Sequence, residues 1–454
     1  MNSKSIDMTR GPLLKQIITY TIPIILTGVL QLLFNAADLV VVGQYCGSVS
    51  VGAVGATGPV INLITNLFIG FSVGSGVSVA HAIGAGKDDD IHRIVHTSVP
   101  LALICGLILT VVGVSGAKTI LRLMQTPDDT IRLSTIYMQI YFCGIIGSML
   151  YNFGASILRA AGDTRSPLIH LTVAGVVNVL LNLLFVIVFK MDVAGVALAT
   201  TISQCLSSVL IIRTLMKRTD SCKFIPKKMK LYMKPLLKIL RIGLPAGIQG
   251  SLFSISNVLI QSSINSFGSI AVSGNSAAGN IEGFVYTAMN SVTQSALNFT
   301  GQNHGANNFT RVKKTAFISL GFVFTVGTVL GVSSYIFSRP LLSIYIPDSD
   351  EAIRYGITRL LYIAVPYCFC GIMDVSTGLL RGLGSSVLPM IITVMGVCVF
   401  RIIWIYSVFA IPEYHTLEVL YISYIISWTM TFTVQIILFA ILFHLKKKKA
   451  VNPL

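Results

Sequence analysis

Charge is scarce in this 454-residue chain: 11% of its residues are Asp, Glu, Lys or Arg and 54% are hydrophobic, whereas an ordinary soluble domain is about 25% charged. That scarcity excludes a water-solvated surface over most of the molecule. Signatures of nucleotide binding and covalent chemistry are missing as well. There is no G-x-x-x-x-G-K-[ST], no H-E-x-x-H, no G-x-S-x-G and no His/Cys group at ligand spacing, which excludes ATP bound to this chain as a driving force and speaks against an enzyme. The eight cysteines lie mostly in apolar stretches, and Cys368-Phe-Cys370 is a C-x-C pair, so neither a disulfide framework nor a zinc site is indicated. Met1–Thr21 has no compact apolar stretch ending in a small-residue cleavage site, so a retained N-terminus is expected.

What the chain does have is long runs without charge. Residues 16–37, 39–86, 94–117, 133–158, 166–189, 193–212, 242–281, 283–310, 315–338 and 419–445 contain no Asp, Glu, Lys or Arg, and about 20 apolar residues cross a bilayer core as a helix. With Gly, Pro and polar clusters as breaks, the runs predict an all-α integral membrane protein with twelve transmembrane helices: 14–42, 51–82, 93–117, 132–158, 164–189, 193–215, 236–267, 277–303, 315–338, 352–382, 388–411 and 417–445.

The formal net charge of +16 raises the question of nucleic acid, and its distribution answers it. Most of the 33 Lys and Arg lie at the two termini and in the even-numbered loops; the odd-numbered loops and adjoining helix ends hold Lys118, Arg122, Arg132, Lys190, Arg339, Arg354 and Arg359, and Arg401 lies within a span. The positive-inside rule then predicts both termini in the cytoplasm and leaves no need for a nucleic-acid partner.

An internal repeat appears at an offset of 222 residues: Pro23 falls on Pro245, Leu158-Arg159 on Leu380-Arg381, Gly162 on Gly384 and Pro167 on Pro389. One residue off that register, His81–Gly86 returns as Gln302–Asn307. The chain thus reads as two pseudo-symmetric six-helix lobes, 1–216 and 236–454, joined by a basic cytoplasmic linker, 217–235. Six is even, so both lobes cross in the same sense, and transporters of this build place substrate and ion sites near the bilayer midplane.

Ionisable groups inside a span cost roughly 2.5–3.5 kcal/mol each on insertion scales, which makes the few present the functional candidates. Asp38 lies two-thirds along the first span, with no charged residue between Lys15 and Lys87 other than itself. In such a place it can hold a proton or a metal ion. Asn178 and Asn182 share one face of the fifth span, and Thr200 follows in the sixth. One carboxylate with amide and hydroxyl oxygens makes a possible Na⁺ ligand set, by analogy with oxygen-ligated hard cations, although Asn and Thr also bond helices to one another. In the second half Asp374 stands inside the tenth span where the repeat has Asn152, an asymmetry that points to proton coupling or cationic-substrate binding. Glu282, read as near the start of the eighth span, faces either the central cavity or the outer water; Arg401 is read as a structural partner of a carboxylate or of helix carbonyls.

At these residues the chain resembles the multidrug and toxic compound extrusion (MATE) family, in its bacterial MepA-like and DinF-like branch. The resemblance rests on Asp38, Gly84-Ala-Gly86, Leu158–Arg165, Asn178-x-x-x-Asn182, Ile281-Glu-Gly283, Gly301–Ala306, and Asp374 followed by Leu380-Arg-Gly382, in order along essentially all twelve spans. It implies export of lipophilic, usually cationic, small organic molecules in exchange for H⁺ or Na⁺ as the only cofactor-like species. It further implies a cation site at Asp38, Asn178, Asn182 and Thr200, a monomer in the lipid bilayer, and a prokaryotic plasma membrane. Asn182 departs from the Asp that the family often has there, which leaves the ion open between Na⁺ and H⁺. No acidic residue stands near Phe253 and Ser254, where some members carry one. The alternatives are a flippase for lipid-linked oligosaccharide or polysaccharide, which needs basic residues in its cavity, and a membrane-embedded enzyme or non-transporting receptor.

Overall fold

The computed structural model describes residues 5–124 and 126–451 and is almost wholly helical. Helix is the expected solution, because a span with no water around it must satisfy its backbone groups internally. The helices are α1 Leu13–Tyr45, α2 Ser48–Gly84, α3 Asp88–Leu123, α4 Asp128–Ala160, α5 Arg165–Leu183, α6 Asp192–Lys217, α7 Met233–Asn265, α8 Ser269–Gly305, α9 Phe309–Ile336, the short α10 Ser338–Ser343, α11 Asp350–Arg359, α12 Tyr367–Gly382, α13 Val387–Thr393, α14 Phe400–Tyr406 and α15 Leu417–Val451.

Among the described residues ten helices are long and apolar enough to cross a membrane, counting Val387–Tyr406 as one; α11 and α12 form an eleventh span bent by 44°. The 37-residue α8 is the twelfth. Its Ser, Asn, Gln and Glu282 keep it below the hydropathy of the others, yet its length suits a span. The predicted spans recur to within six residues at each end, except that α8 starts eight residues earlier than expected. Wide turns of i to i+5 type interrupt three spans, at Leu184–Val188, Leu360–Ala364 and Val394–Val399. The second precedes Pro366, which has no N–H to continue the ladder and accounts for the bend.

The repeat is visible in backbone detail. Gly47 and Gly268 both hold φ +89° ahead of helices of 37 residues, and Gly162 and Gly384 both hold φ +85°. At the latter pair the next amide returns to a helix carbonyl, Asp163 N–H to Leu158 O at 2.9 Å and Ser385 N–H to Leu380 O at 3.0 Å, the hydrogen bond that ends a helix on a left-handed residue.

Two compact units emerge, one of residues 1–7 and 22–251 and the other of 8–21 and 252–454. Where the sequence reading divides the chain at 217–235, the linker and the first half of α7 belong to the amino-terminal unit. The linker is docked: Ile225 N–H donates to His96 Nε2 at 3.0 Å and Tyr232 N–H to Thr97 Oγ1 at 3.2 Å. In the same unit Gly70 and Gly74 of α2 meet Gly243 and Gly247 of α7 backbone to backbone, with no room for a Cβ. In the carboxyl-terminal unit Asn303 and Arg311 bind the Met8 carbonyl at 3.0 and 2.9 Å, and Arg311 also takes the carbonyls of Arg10 and Gly11. Part of the Gly301–Ala306 motif is thereby spent on holding residues 8–11.

Candidate functional site

In the amino-terminal unit the four residues of the predicted cation site come together. Asp38 is brought to α5 by a close packing contact: a Cβ on Gly175 would lie 1.8 Å from the Phe34 ring, so only glycine lets α1 approach here. Asn182 Nδ2 donates to Asp38 Oδ1 and, at 3.3 Å, to Asn178 Oδ1. Thr200 Oγ1 donates to Asp38 Oδ2 at 3.4 Å and accepts from Asn178 Nδ2 at 3.4 Å. The i, i+4 spacing of the two asparagines places both amides on the face of α5 that looks toward Asp38 and Thr200. Asn182 is fully buried and Asn178 nearly so.

The arrangement carries one formal negative charge and five side-chain oxygens. None of the bonds to Asp38 comes from a cation, and Asp38 makes no ion pair among the described residues. The Asn182 Oδ1 atom is buried without a hydrogen-bond partner among the described residues. Half a turn of that amide exchanges its donor for this oxygen, so one residue can serve a protonated or hydrogen-bonded carboxyl in one setting and a cation in the other. A single carboxylate among neutral oxygens suits a proton or a monovalent hard cation better than a divalent one. No group of three or more His, Cys, Asp or Glu suited to a metal ion occurs among the described residues.

The carboxyl-terminal unit is built differently. Glu282 is the fourteenth residue of α8, not near its start, because the helix extends back through the small polar residues after Gly268. It is buried and bound by Arg359 in a two-pronged ion pair, Nε to Oε1 at 2.8 Å and Nη2 to Oε2 at 2.7 Å. Arg359 also donates to Asn275 Oδ1, which accepts from the Tyr421 hydroxyl at 3.1 Å, and Asn275 Nδ2 donates to Gln261 at 3.2 Å. The sequence reading counted Arg359 among helix ends; the fold turns its guanidinium inward onto Glu282.

Asp374 is half-buried beside Tyr286 and lies in the field of Arg381. Its repeat counterpart Asn152 instead donates to the Ser148 carbonyl one turn earlier, at 2.8 Å, and joins neither candidate cluster. Arg401 is buried, donates to Ser427 Oγ at 3.1 Å, and stacks 3.8 Å from the centroid of the Tyr424 ring with Trp428 beyond at 5.7 Å. Its expected carboxylate or carbonyl partner is replaced by a hydroxyl and two aromatic faces, an arrangement that stabilises a buried guanidinium. Its Nη2 has no hydrogen-bond partner among the described residues. Sequence reasoning missed Tyr286, Asn275, Tyr421 and Tyr424, since an aromatic or amide in an apolar run carries no mark of what it faces.

The MatE family profile matches residues 23–184 and 245–407, one match in each half. Among curated proteins, the probable multidrug resistance protein YoeA of Bacillus subtilis is 29% identical over 88% of this chain and 87% of its own length. The probable multidrug resistance protein NorM of Thermotoga maritima is 26% identical over 86% and 84%, and the multidrug export protein MepA of Staphylococcus aureus 21% over 84% and 85%. Among solved structures, a crystal structure of MATE in the bent conformation superposes with a TM-score of 0.90 over the whole of both chains at 21% identity. A MOP superfamily transporter from Pyrococcus furiosus, described as having a binding pocket of reverse polarity, gives 0.92 over 98% of this chain and 99% of its own, also at 21% identity.

Proposed function

Since the chain belongs to the MATE family, and is therefore a multi-pass membrane transporter rather than an enzyme, we propose that it exports lipophilic organic cations by antiport against H⁺ or Na⁺. The observation that carries the reading is the Asp38 cluster, a half-buried carboxylate within a span whose partners are a neutral amide and a hydroxyl and whose charge a transported ion can complete. Its relatives' names, multidrug resistance and multidrug export proteins, support the substrate class. Both termini lie in the cytoplasm of a prokaryotic plasma membrane, as the placement of Lys and Arg favours, and the working unit is a monomer.

In this mechanism the inward-facing state takes the organic cation, with the Asp374 carboxyl and the aromatic residues Tyr286 and Tyr367 as its recognition surface. After the protein turns outward, H⁺ or Na⁺ enters at Asp38 and the substrate leaves. The ion drives the cycle only through a difference in affinity between the two states. Asn178, Asn182 and Thr200 hold the carboxylate in place and complete the oxygen set.

One observation favours a second reading, an anionic or zwitterionic substrate: Arg401 keeps a buried N–H with no acceptor among the described residues, in the same unit as the partly buried Arg381. A relative from Shewanella oneidensis, 24% identical, is named an FAD transporter. The test is efflux from proteoliposomes under Na⁺ and H⁺ gradients imposed separately, with ethidium and a flavin nucleotide as alternative cargo. Ethidium efflux driven by one gradient and abolished in Asp38→Asn is the expected result. Gradient-driven flavin efflux without ethidium efflux establishes the second reading, and full coupled efflux by Asp38→Asn removes the role assigned to the cluster.

A further inference from the structure

Outside both clusters, the carboxyl-terminal unit has a groove of about 380 Å³ between the first three turns of α9 and the last turns of α15, floored by Ser376 and Leu379 of α12. On α9 its lining runs from Phe309 to Leu320, and on α15 from Ile436 to Lys447, each stretch recurring at three- and four-residue steps along one helix face. Each wall therefore extends about 16 Å at 1.5 Å per residue, close to half of the roughly 30 Å hydrocarbon core. The walls are apolar, with Phe317 68% exposed and Ile436 38% exposed beside the buried Phe443.

The polar end of the groove has one sign of charge. Lys313 and Lys447 line it, and neither has a carboxylate partner among the described residues. Lys446, beside them, is already committed to the Leu383 carbonyl at 2.6 Å. No Asp or Glu occurs anywhere in α9, and the only one in α15 is Glu418 in its first turn, at the far end from Lys447. A basic mouth opening on an apolar slot one leaflet deep matches one chemistry, a negatively charged head on a hydrocarbon tail. We infer that this groove is a binding site for an anionic phospholipid of the leaflet at the lysine-rich end of the bundle, its phosphate between Lys313 and Lys447 and an acyl chain along Phe317, Leu379 and Phe443.

The experiment uses the full chain purified in a neutral detergent and exposed to an equimolar mixture of phosphatidylglycerol and phosphatidylcholine. Native mass spectrometry reads the lipid retained, and thermal unfolding is followed with each lipid alone and with inorganic phosphate. Phosphatidylglycerol is expected to be retained about tenfold over phosphatidylcholine and to raise the melting temperature by several degrees, while phosphate has no effect. Lys313→Gln/Lys447→Gln should bring the two lipids to equal retention. Ala440→Trp, which fills the groove from an exposed position, should lower retention of both, so that head and tail are tested by variants that leave the core intact. Equal retention by the unaltered protein, a phosphate shift equal to that of the lipid, or a preference unchanged in the double variant overturns the assignment. So does a dimer in lipid-free detergent that Ala440→Trp dissociates, since a second copy would then be the occupant.

Discussion

The two halves descend from one pattern yet treat a carboxylate within a span in opposite ways. In the amino-terminal unit Asp38 is met by two amide and hydroxyl donors, so its own fold leaves the charge open for a mobile ion. In the carboxyl-terminal unit Glu282 is met by a guanidinium with two hydrogen bonds. A carboxylate that already has its counter-ion needs none from a gradient. The contrast therefore separates the proposed ion-coupling centre from the fixed Glu282–Arg359 pair, although both acids stand within spans.

The largest effect that can break this contrast is a swap of the two acids' fates. Asp38→Asn should reduce gradient-driven efflux at least about 100-fold, or roughly 2.7 kcal/mol, with little loss of melting temperature, whereas Glu282→Gln should retain gradient dependence. Equal loss of coupling in both, measured in proteoliposomes, would show that the halves do not divide the work. Next, Arg359→Ala leaves Glu282 buried and unpaired and should destabilise the protein by about 3–5 kcal/mol, while Arg359→Met with Glu282→Gln recovers most of that. Thermal unfolding of the single and double variants in detergent reads both numbers.

A smaller effect sharpens the ion's identity. Asn182→Asp gives the Asp38 cluster a second carboxylate and should lower the Na⁺ concentration for half-maximal efflux about tenfold; an unchanged Na⁺ dependence would leave the proton as the coupling ion. Gly175→Ala should cost about 1–3 kcal/mol by overpacking against Phe34 and weaken coupling at the same time, because Phe34 stands four residues from Asp38 on α1. A melting shift without any change in efflux would place the ring contact outside the site.

The smallest expected effect lies in the linker, outside the spans. Burial pushes the Asp220 carboxyl upward, but the Arg218 guanidinium, by hydrogen bonds and charge, holds it below its ordinary value of 3.8. A lowered folded value stabilises above pH 3.8 and is lost as pH falls through it. Arg218→Gln should thus lower the melting temperature slightly and equally at pH 6 and pH 8, and the difference should vanish only in strong acid; the effect is small because the Asp220 end of the pair is half-exposed and screened.

Much of the site was legible because of its isolation. Asp38 has no charged neighbour in sequence for more than twenty residues on either side, and the two asparagines stand at helical spacing, so a span's periodicity already puts them on one face. Glu282 and Arg359 were not legible as a pair. They are 77 residues apart, and the helix start that would have centred Glu282 in its span is made of small polar residues that hydropathy does not mark.

Sequence alone determined the number of spans, the duplication and the few acids worth attention, because a bilayer taxes charge so heavily that every exception is conspicuous and helices need only local hydrogen bonds. The tertiary structure decided that Glu282 already has its counter-ion, where the linker docks, and that Arg401 rests on aromatic faces with no ion pair among the described residues. Those depend on which helix faces meet, and that is set by packing between segments remote in the chain.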